Sequence, residues 1–438
     1  MRRGVNVLFR VGGPAAAPAM AVGAAPFAAE AIPLTLEVDP PMSPRDEAIF
    51  LLHTAAEIEH SLMVQYLYAA WSLPRDVPGR VERWRRKILQ IAREEMAHFI
   101  SVQNLLRFVG GPLNFDREDF PFRTEFYPFP FRLERLSRTS LARYIAAEMP
   151  AESDVNPDLV ATAMALATGG CDDLPVNRVG ALFNRLATLF ADEQKLPDEL
   201  FRSDTADVIQ ALPVRYRADV GRGPLYLRTV RSRAEALALL DDIANQGEGD
   251  EDMPRSHFLA FIDIFDAWPT DDGAISLAVP THPTIATTEP DAEPATGQIT
   301  HPRARAWGSV FNHHYRMLLG WLEHALLTPT AAAAGTGLPL RAFAEMLVLS
   351  DVGQLLTTLP RTEHGTDRAG APFKLPYSLA FPDLPGDRWD LHRDLLGTAR
   401  AQLDALAAGA SDAEDATRRR VLSSITAAEA FIEAEDKL

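Results

Sequence analysis

Two stretches decide how this chain is read: LLHTAAEIEHSLMVQYLYAAWSL (Leu51–Leu73) and RRKILQIAREEMAHFISVQNLL (Arg85–Leu106). Both repeat apolar residues with helical spacing, and each carries ionisable groups inside its apolar stripe. Glu59 shares a face with Leu52, Ala55, Ala56, Leu62, Met63 and Tyr66; Glu95 and His98 share one with Ile88, Ile91, Ala92, Phe99 and Val102. A buried carboxylate without a partner is costly, so such groups are paired, protonated or bound to metal. A Glu on one helix and Glu-x-x-His on the next make half of a carboxylate-bridged di-metal site in a helix bundle. Other polar groups nearby read as structural. Glu57, His53 and His60 fall on a different face, His60 serving at most as a donor behind the ligands, and Glu94 shares its face with Lys87 and Gln90, a solvated pattern. Tyr66 reads first as core packing and second as a hydrogen-bond donor to a ligand.

Working outward, Ser43-Pro44 with Asp46 and Glu47 marks the start of the first helix, which runs to about Leu73 before Pro74 and Pro78. A helix from about Val81 to Val109 follows, closed by Gly110-Gly111-Pro112, and the two are expected to pack antiparallel. The Phe- and Pro-rich segment Leu113–Leu136 lacks either period and reads as cover for the bundle or, second, as a substrate contact. A shorter helix is expected over Ser140–Met149, then weak helical patterns at Pro157–Thr168, Asn177–Ala191 and Thr205–Leu212. Ser232–Glu248 is strongly helical, breaks at Gly247, Gly249 and Pro254, and resumes in RSHFLAFIDIFDAW. Further helices are expected over Arg303–Leu327, Leu338–Leu359, Trp389–Leu406 and Ser411–Ala434. The class is all-α, divided into a disordered or extended leader (1–40), a bundle (41–270) with an insertion at about 151–229, a linker (271–300) and a C-terminal helical region packed on the bundle (301–438).

The 438 residues, 47% of them hydrophobic, can bury a large core. A formal charge of −17 argues against nucleic acid or an anionic membrane as partner. The single cysteine, Cys171, excludes an internal disulfide and any cysteine-based metal cage. No run approaches a membrane span, and the Ala-rich leader is interrupted by Arg10, prolines and glycines, so a cytoplasmic location is expected. A small-molecule substrate is the expected partner, and homo-oligomerisation is open.

The other half of a di-metal site needs further carboxylates and a second imidazole. Glu148 sits on the apolar face of its helix and is the best third carboxylate; the alternative is a solvated helix-end Glu before Pro150. Glu248 and His257 complete the set. On an unbroken helix they would point to opposite faces, so both turn inward only if the chain is interrupted between them. His257 shares a face with Ala260, Phe261 and Ile264, which also suits a core histidine. His313 and His314 show no obvious carboxylate partner.

In order along the chain, EIEHSLMVQYLYAAWSL, EEMAHFISVQNLLRFVGGP, YIAAEMP and NQGEG followed by SHF resemble the ferritin-like domain of the iminophenyl-pyruvate dimer synthase family, bacterial enzymes of bisindole pigments such as violacein and rebeccamycin. The resemblance covers roughly Pro41 to Trp268 and continues more weakly into VFNHHYRMLLGWLEHAL and AGAPFKLP. It implies a ferritin-like four-helix bundle, to which the sequence pattern adds a helical insertion and additional C-terminal helices. It also implies Glu59, Glu95, His98, Glu148, Glu248 and His257 as metal ligands. In NRVGALFNRL, Ala181 follows Gly180 where relatives commonly carry Glu. The function implied is a non-haem di-metal oxidoreductase with two iron ions, manganese being the alternative, acting on a small organic, amino-acid-derived substrate in secondary metabolism. The alternatives are a non-catalytic iron-handling protein and a manganese catalase-like peroxide scavenger.

Overall fold

The computed structural model describes residues 8–11, 34–37, 41–75, 77–123, 129–150, 155–169, 179–202, 230–248, 256–269, 275–286, 297–328, 337–376 and 381–435; of 8–11, 34–37, 179 and 245–248 it describes the backbone alone. Cys171, the expected helix at Thr205–Leu212, and the 249–255 break lie outside the described residues. So do most of the leader and part of the 271–300 linker.

The described chain is an all-α assembly with one short addition in the leader, an antiparallel pair of strands, β1 (Leu8–Val11) and β2 (Leu34–Glu37). Helix α1 (Pro44–Trp71) starts where Ser43 accepts from the Asp46 amide and Pro44 occupies the first turn. Helix α2 (Arg80–Phe108) ends in left-handed Gly110, after which the Gly111 amide returns to the Leu106 carbonyl at 2.8 Å. Arg45, in the first turn of α1, donates to the carbonyls of Val109 and Gly110, tying the start of one helix to the end of the other. This antiparallel hairpin is the frame of the molecule.

Helices α3 (Arg138–Ala147), α4 (Pro157–Thr168), α5 (Val179–Ala191), α6 (Arg233–Glu248) and α7 (His257–Asp266) pack about one side of that hairpin. Helices α8 (Pro302–Leu327), α9 (Leu338–Leu356), α10 (Pro385–Ala405) and α11 (Asp412–Glu435) pack together, and α8 and α9 meet the hairpin through Phe311 and Gly353 at Trp71 and through Tyr315 at His60. Helix α10 begins four residues before the expected Trp389 because Pro385, which donates no amide hydrogen, suits a first helical turn.

With neighbours on both sides, α1 is buried almost all round, and Trp71 stacks on Phe373 with rings 5.7 Å apart. Gly353 of α9 packs against the same indole, where an added Cβ would lie 2.6 Å from Trp71. We expect Gly353→Ala to destabilise the fold by about 1–3 kcal/mol, since the overpacking outweighs the helix propensity gained. Gly397→Ala on α10, where nothing lies within 4 Å, is neutral or stabilising; denaturation midpoints of the two variants check this.

The Phe-rich segment straps the hairpin. The Gln103 side chain exchanges two hydrogen bonds with the Asn114 backbone, at 2.7 and 2.8 Å, and the Arg132 amide donates to Gln65. Phe115, Phe122, Phe129 and Phe131 are buried, so where described the segment acts as cover.

The sequence reading left His314 without a carboxylate partner, and the structure corrects this. Its Nδ1 lies 2.6 Å from Glu345 Oε2, both groups being buried between α8 and α9. The partner is 31 residues away on another helix, beyond the reach of any local pattern.

Candidate metal centre

Two antiparallel pairings converge on one point. In the α1/α2 hairpin, Glu59 comes opposite Glu95 and His98, and all three are buried. The second pairing is between α3 and α7. Arg138, at the start of α3, donates to the carbonyls of Phe265 and Trp268 at the end of α7, with its guanidinium 4.0 Å over the Phe265 ring. Anchored at that end, the two ten-residue helices carry Glu148, at the C-terminus of α3, beside His257, the first residue of α7. Ser256 caps α7 and fixes where that helix begins.

The result is two buried donor triads that share one residue: Glu59, Glu95 and His98, and Glu95, Glu148 and His257. His98 Nδ1 lies 3.2 Å from Glu95 Oε2 and 3.5 Å from Glu59 Oε2. His257 Nδ1 lies 2.8 Å from Glu95 Oε1 and 3.7 Å from Glu148 Oε2. A cation with bonds of about 2.1 Å holds adjacent donors about 3 Å apart, the range seen here. Glu59 Oε2, Glu95 Oε1 and His257 Nδ1 are buried and make no hydrogen bond among the described residues, although two of them are 2.8 Å apart. Donor atoms that converge without bonding one another suit a shared cation. The donor set, carboxylates with two imidazoles, suits iron or manganese.

The electrostatics describe the same crowding. Burial, then repulsion from Glu95, pushes Glu59 well above the usual carboxylate range and raises Glu148 too. For Glu95 burial acts upward, but His257 and His98 outweigh it and hold its carboxyl well below that range. His98 is raised to about 10: burial opposes the proton, and Glu59 and Glu95 together retain it. His257 is raised well above its ordinary value, the carboxylates led by Glu95 overcoming its burial. Without a cation the cluster keeps protons that a metal would displace.

Of the six residues expected as ligands, the structure brings together Glu59, Glu95, His98, Glu148 and His257. The sixth, Glu248, ends α6, and its side chain lies outside the described residues. Glu94 was read as solvated, and this is corrected: its Oε2 lies 3.1 Å from His257 Nε2. One position from Glu95, it leaves the flank of α2 about 100° away, and its side chain is long enough to curl back to the imidazole. The contact turns the opposite nitrogen, Nδ1, toward Glu95 and Glu148. Tyr66 packs in the core as expected and also donates its hydroxyl to Glu148 Oε1. His60 points away from the cluster, to the Tyr315 hydroxyl on α8. His53 and Glu57 face the strap, at Pro112 and Asn114.

The triads border a cavity of about 20 Å³, enough for ions and water, walled by Leu62, Ala147, Phe183 and Ile243. Gly180 also lines it, next to Ala181, where the resemblance leads one to expect Glu. No described helix is long and apolar enough to cross a membrane.

The Ferritin-like family profile matches residues 52–266. Dichlorochromopyrrolate synthase of Lentzea aerocolonigenes is 29% identical, across 78% of this chain and 37% of its own length. The 2-imino-3-(indol-3-yl)propanoate dimerase of Chromobacterium violaceum is 26% identical, across 67% and 31%. The chain thus spans about a third of the length of these curated relatives. A solved ferritin-like protein of Caulobacter vibrioides aligns with 70% of this chain and 94% of its own at 19% identity, with a TM-score of 0.45.

Proposed function

From the match of residues 52–266 to the Ferritin-like family model, we propose that the chain is a di-metal oxidoreductase acting on a small organic substrate in secondary metabolism. The observation that carries the reading is the pair of buried donor triads sharing Glu95. In this reading Glu95 would contribute to both metals, Glu59 and His98 would hold one, and Glu148, His257 and Glu248 would hold the other. The chemistry such a site would supply, with two iron ions held there, is oxidation by O₂. The protein's own groups set the conditions. Glu94 fixes the tautomer and orientation of His257, and Tyr66 holds Glu148 by a hydrogen bond. Leu62, Phe183 and Ile243 keep bulk water from the cluster.

The substrate we propose is an amino-acid-derived imine. The support is similarity to a dimerase whose name specifies 2-imino-3-(indol-3-yl)propanoate and to a synthase of dichlorochromopyrrolate.

Anaerobic loading with Fe(II), desalting and exposure to O₂ test this reading. About two irons per chain are expected, with O₂ uptake that stops once those irons are oxidised and resumes only with reductant or substrate. Continuing growth of a ferric mineral would instead identify storage. Release of O₂ from peroxide by manganese-loaded protein would identify a scavenger.

A further inference from the structure

Between the α1/α2 hairpin and its roof of α8 and α9 lies a much larger cavity, of about 350 Å³. Its volume falls in the range of small-molecule sites. None of its lining residues is a member of the donor triads.

The lining is ordered along its length by the helices that build it. Met63, Leu67 and Trp71 form one ridge of α1, four residues apart, and Arg75 follows just beyond that helix. Across the antiparallel hairpin, Arg85, Leu89, Ala92, Arg93 and Met96 run along α2 in the opposite sense. Arg75 and Arg85 therefore sit together at the connector end, with Arg93 further in. Met63, one turn beyond Glu59, and Met96, one residue beyond Glu95, close the inner end. The roof adds Leu318 and Phe373 to the apolar wall, and Ser350, Asp351 and Gln354 to the polar side.

Charge separates this cavity from the rest of the molecule. The chain carries a net −17, yet three arginines, Arg75, Arg85 and Arg93, line this cavity beside Asp351, with Glu82 pairing Arg85 through two hydrogen bonds. The Asp351 carboxylate is engaged outward by Arg420 at 2.6 Å. The buried Oε1 of Gln354 makes no hydrogen bond among the described residues. The thioethers of Met63, Met96 and Met346 give the inner wall a surface that adapts to a flat apolar body.

We infer that this cavity is a second ligand site, separate from the metal centre, which takes an elongated amphiphilic carboxylate. The apolar body lies between Met63, Trp71, Met96 and Phe373, and the carboxylate lies toward the arginines at the connector end. Guanidinium groups pair with carboxylates in a fork geometry, and the apolar trough admits the rest of the molecule. The inference does not rest on the proposed oxidation.

Titration calorimetry of the full chain with 1-naphthaleneacetate, and with its neutral isostere 1-naphthaleneacetamide, tests it. The carboxylate is expected to bind saturably, at least about tenfold more tightly than the amide. Two surface variants are expected to weaken it by a similar factor. Leu347→Trp fills the rim from a side chain that is 54% exposed, and Arg75→Glu reverses the charge at the exposed mouth. Both positions are outside the core, so circular dichroism of either variant should match the parent. Chelator-stripped and metal-loaded protein should bind the probe equally. The inference is overturned by equal affinity for the two probes, or by no saturable binding below about 1 mM. Affinity unchanged in both variants, or binding lost on metal removal, overturns it as well.

Discussion

Glu95→Ala is expected to remove both metals, whereas Glu59→Ala and Glu148→Ala each remove about one. Glu95 belongs to both donor triads, with Oε2 at 3.2 Å from His98 and Oε1 at 2.8 Å from His257, so its loss opens both shells at once. Both imidazoles, His257 and His98, also act on its carboxyl and hold it below the usual carboxylate range against the effect of burial. Elemental analysis after anaerobic loading and desalting reads the stoichiometry, and circular dichroism of the metal-free variants separates loss of a ligand from loss of fold. Retention of about two metals by Glu95→Ala would remove the bridging role and the proposed oxidation together.

The second large effect is expected away from the ligands. Glu94→Gln should lower metal affinity by about 10–100-fold, as loss of a carboxylate behind a ligating histidine commonly does. The contact at issue is 3.1 Å between Glu94 Oε2 and His257 Nε2. Glutamine keeps the length and shape of the side chain but can offer its amide NH₂ to the ring, which favours the wrong tautomer and turns Nδ1 into a donor. Chelator competition measures the change, which should fall on the metal served by His257 and spare that served by Glu59 and His98. An unchanged affinity at both positions would make Glu94 a bystander.

Glu94 also shows where reading the sequence stops. Helical periodicity assigned it to a solvated face with Lys87 and Gln90, and by angle it does lie off the Glu95 stripe. What brings it into the site is His257, from a helix starting 163 residues later, whose ring stands over the flank of α2. His314 and Glu345 repeat the lesson on α8 and α9, and Tyr66 shows a milder form of it. Its burial followed from its spacing from Glu59, while its hydrogen bond required Glu148 to arrive from α3.

The sequence by itself determined the α1/α2 hairpin, the inward direction of Glu59, Glu95 and His98, and an all-helical bundle with its chemistry in the core. These follow from a period of 3.6 residues and from the ends marked by proline, serine and glycine, all of which act over a few residues. Only the tertiary structure decided that α3 and α7 run antiparallel from Arg138, so that Glu148 and His257 meet at Glu95. It also decided that α1 is buried on both sides, and that an arginine-lined cavity forms between the hairpin, α8 and α9. Those outcomes depend on distances between helices far apart in the chain, which packing sets and no local period records.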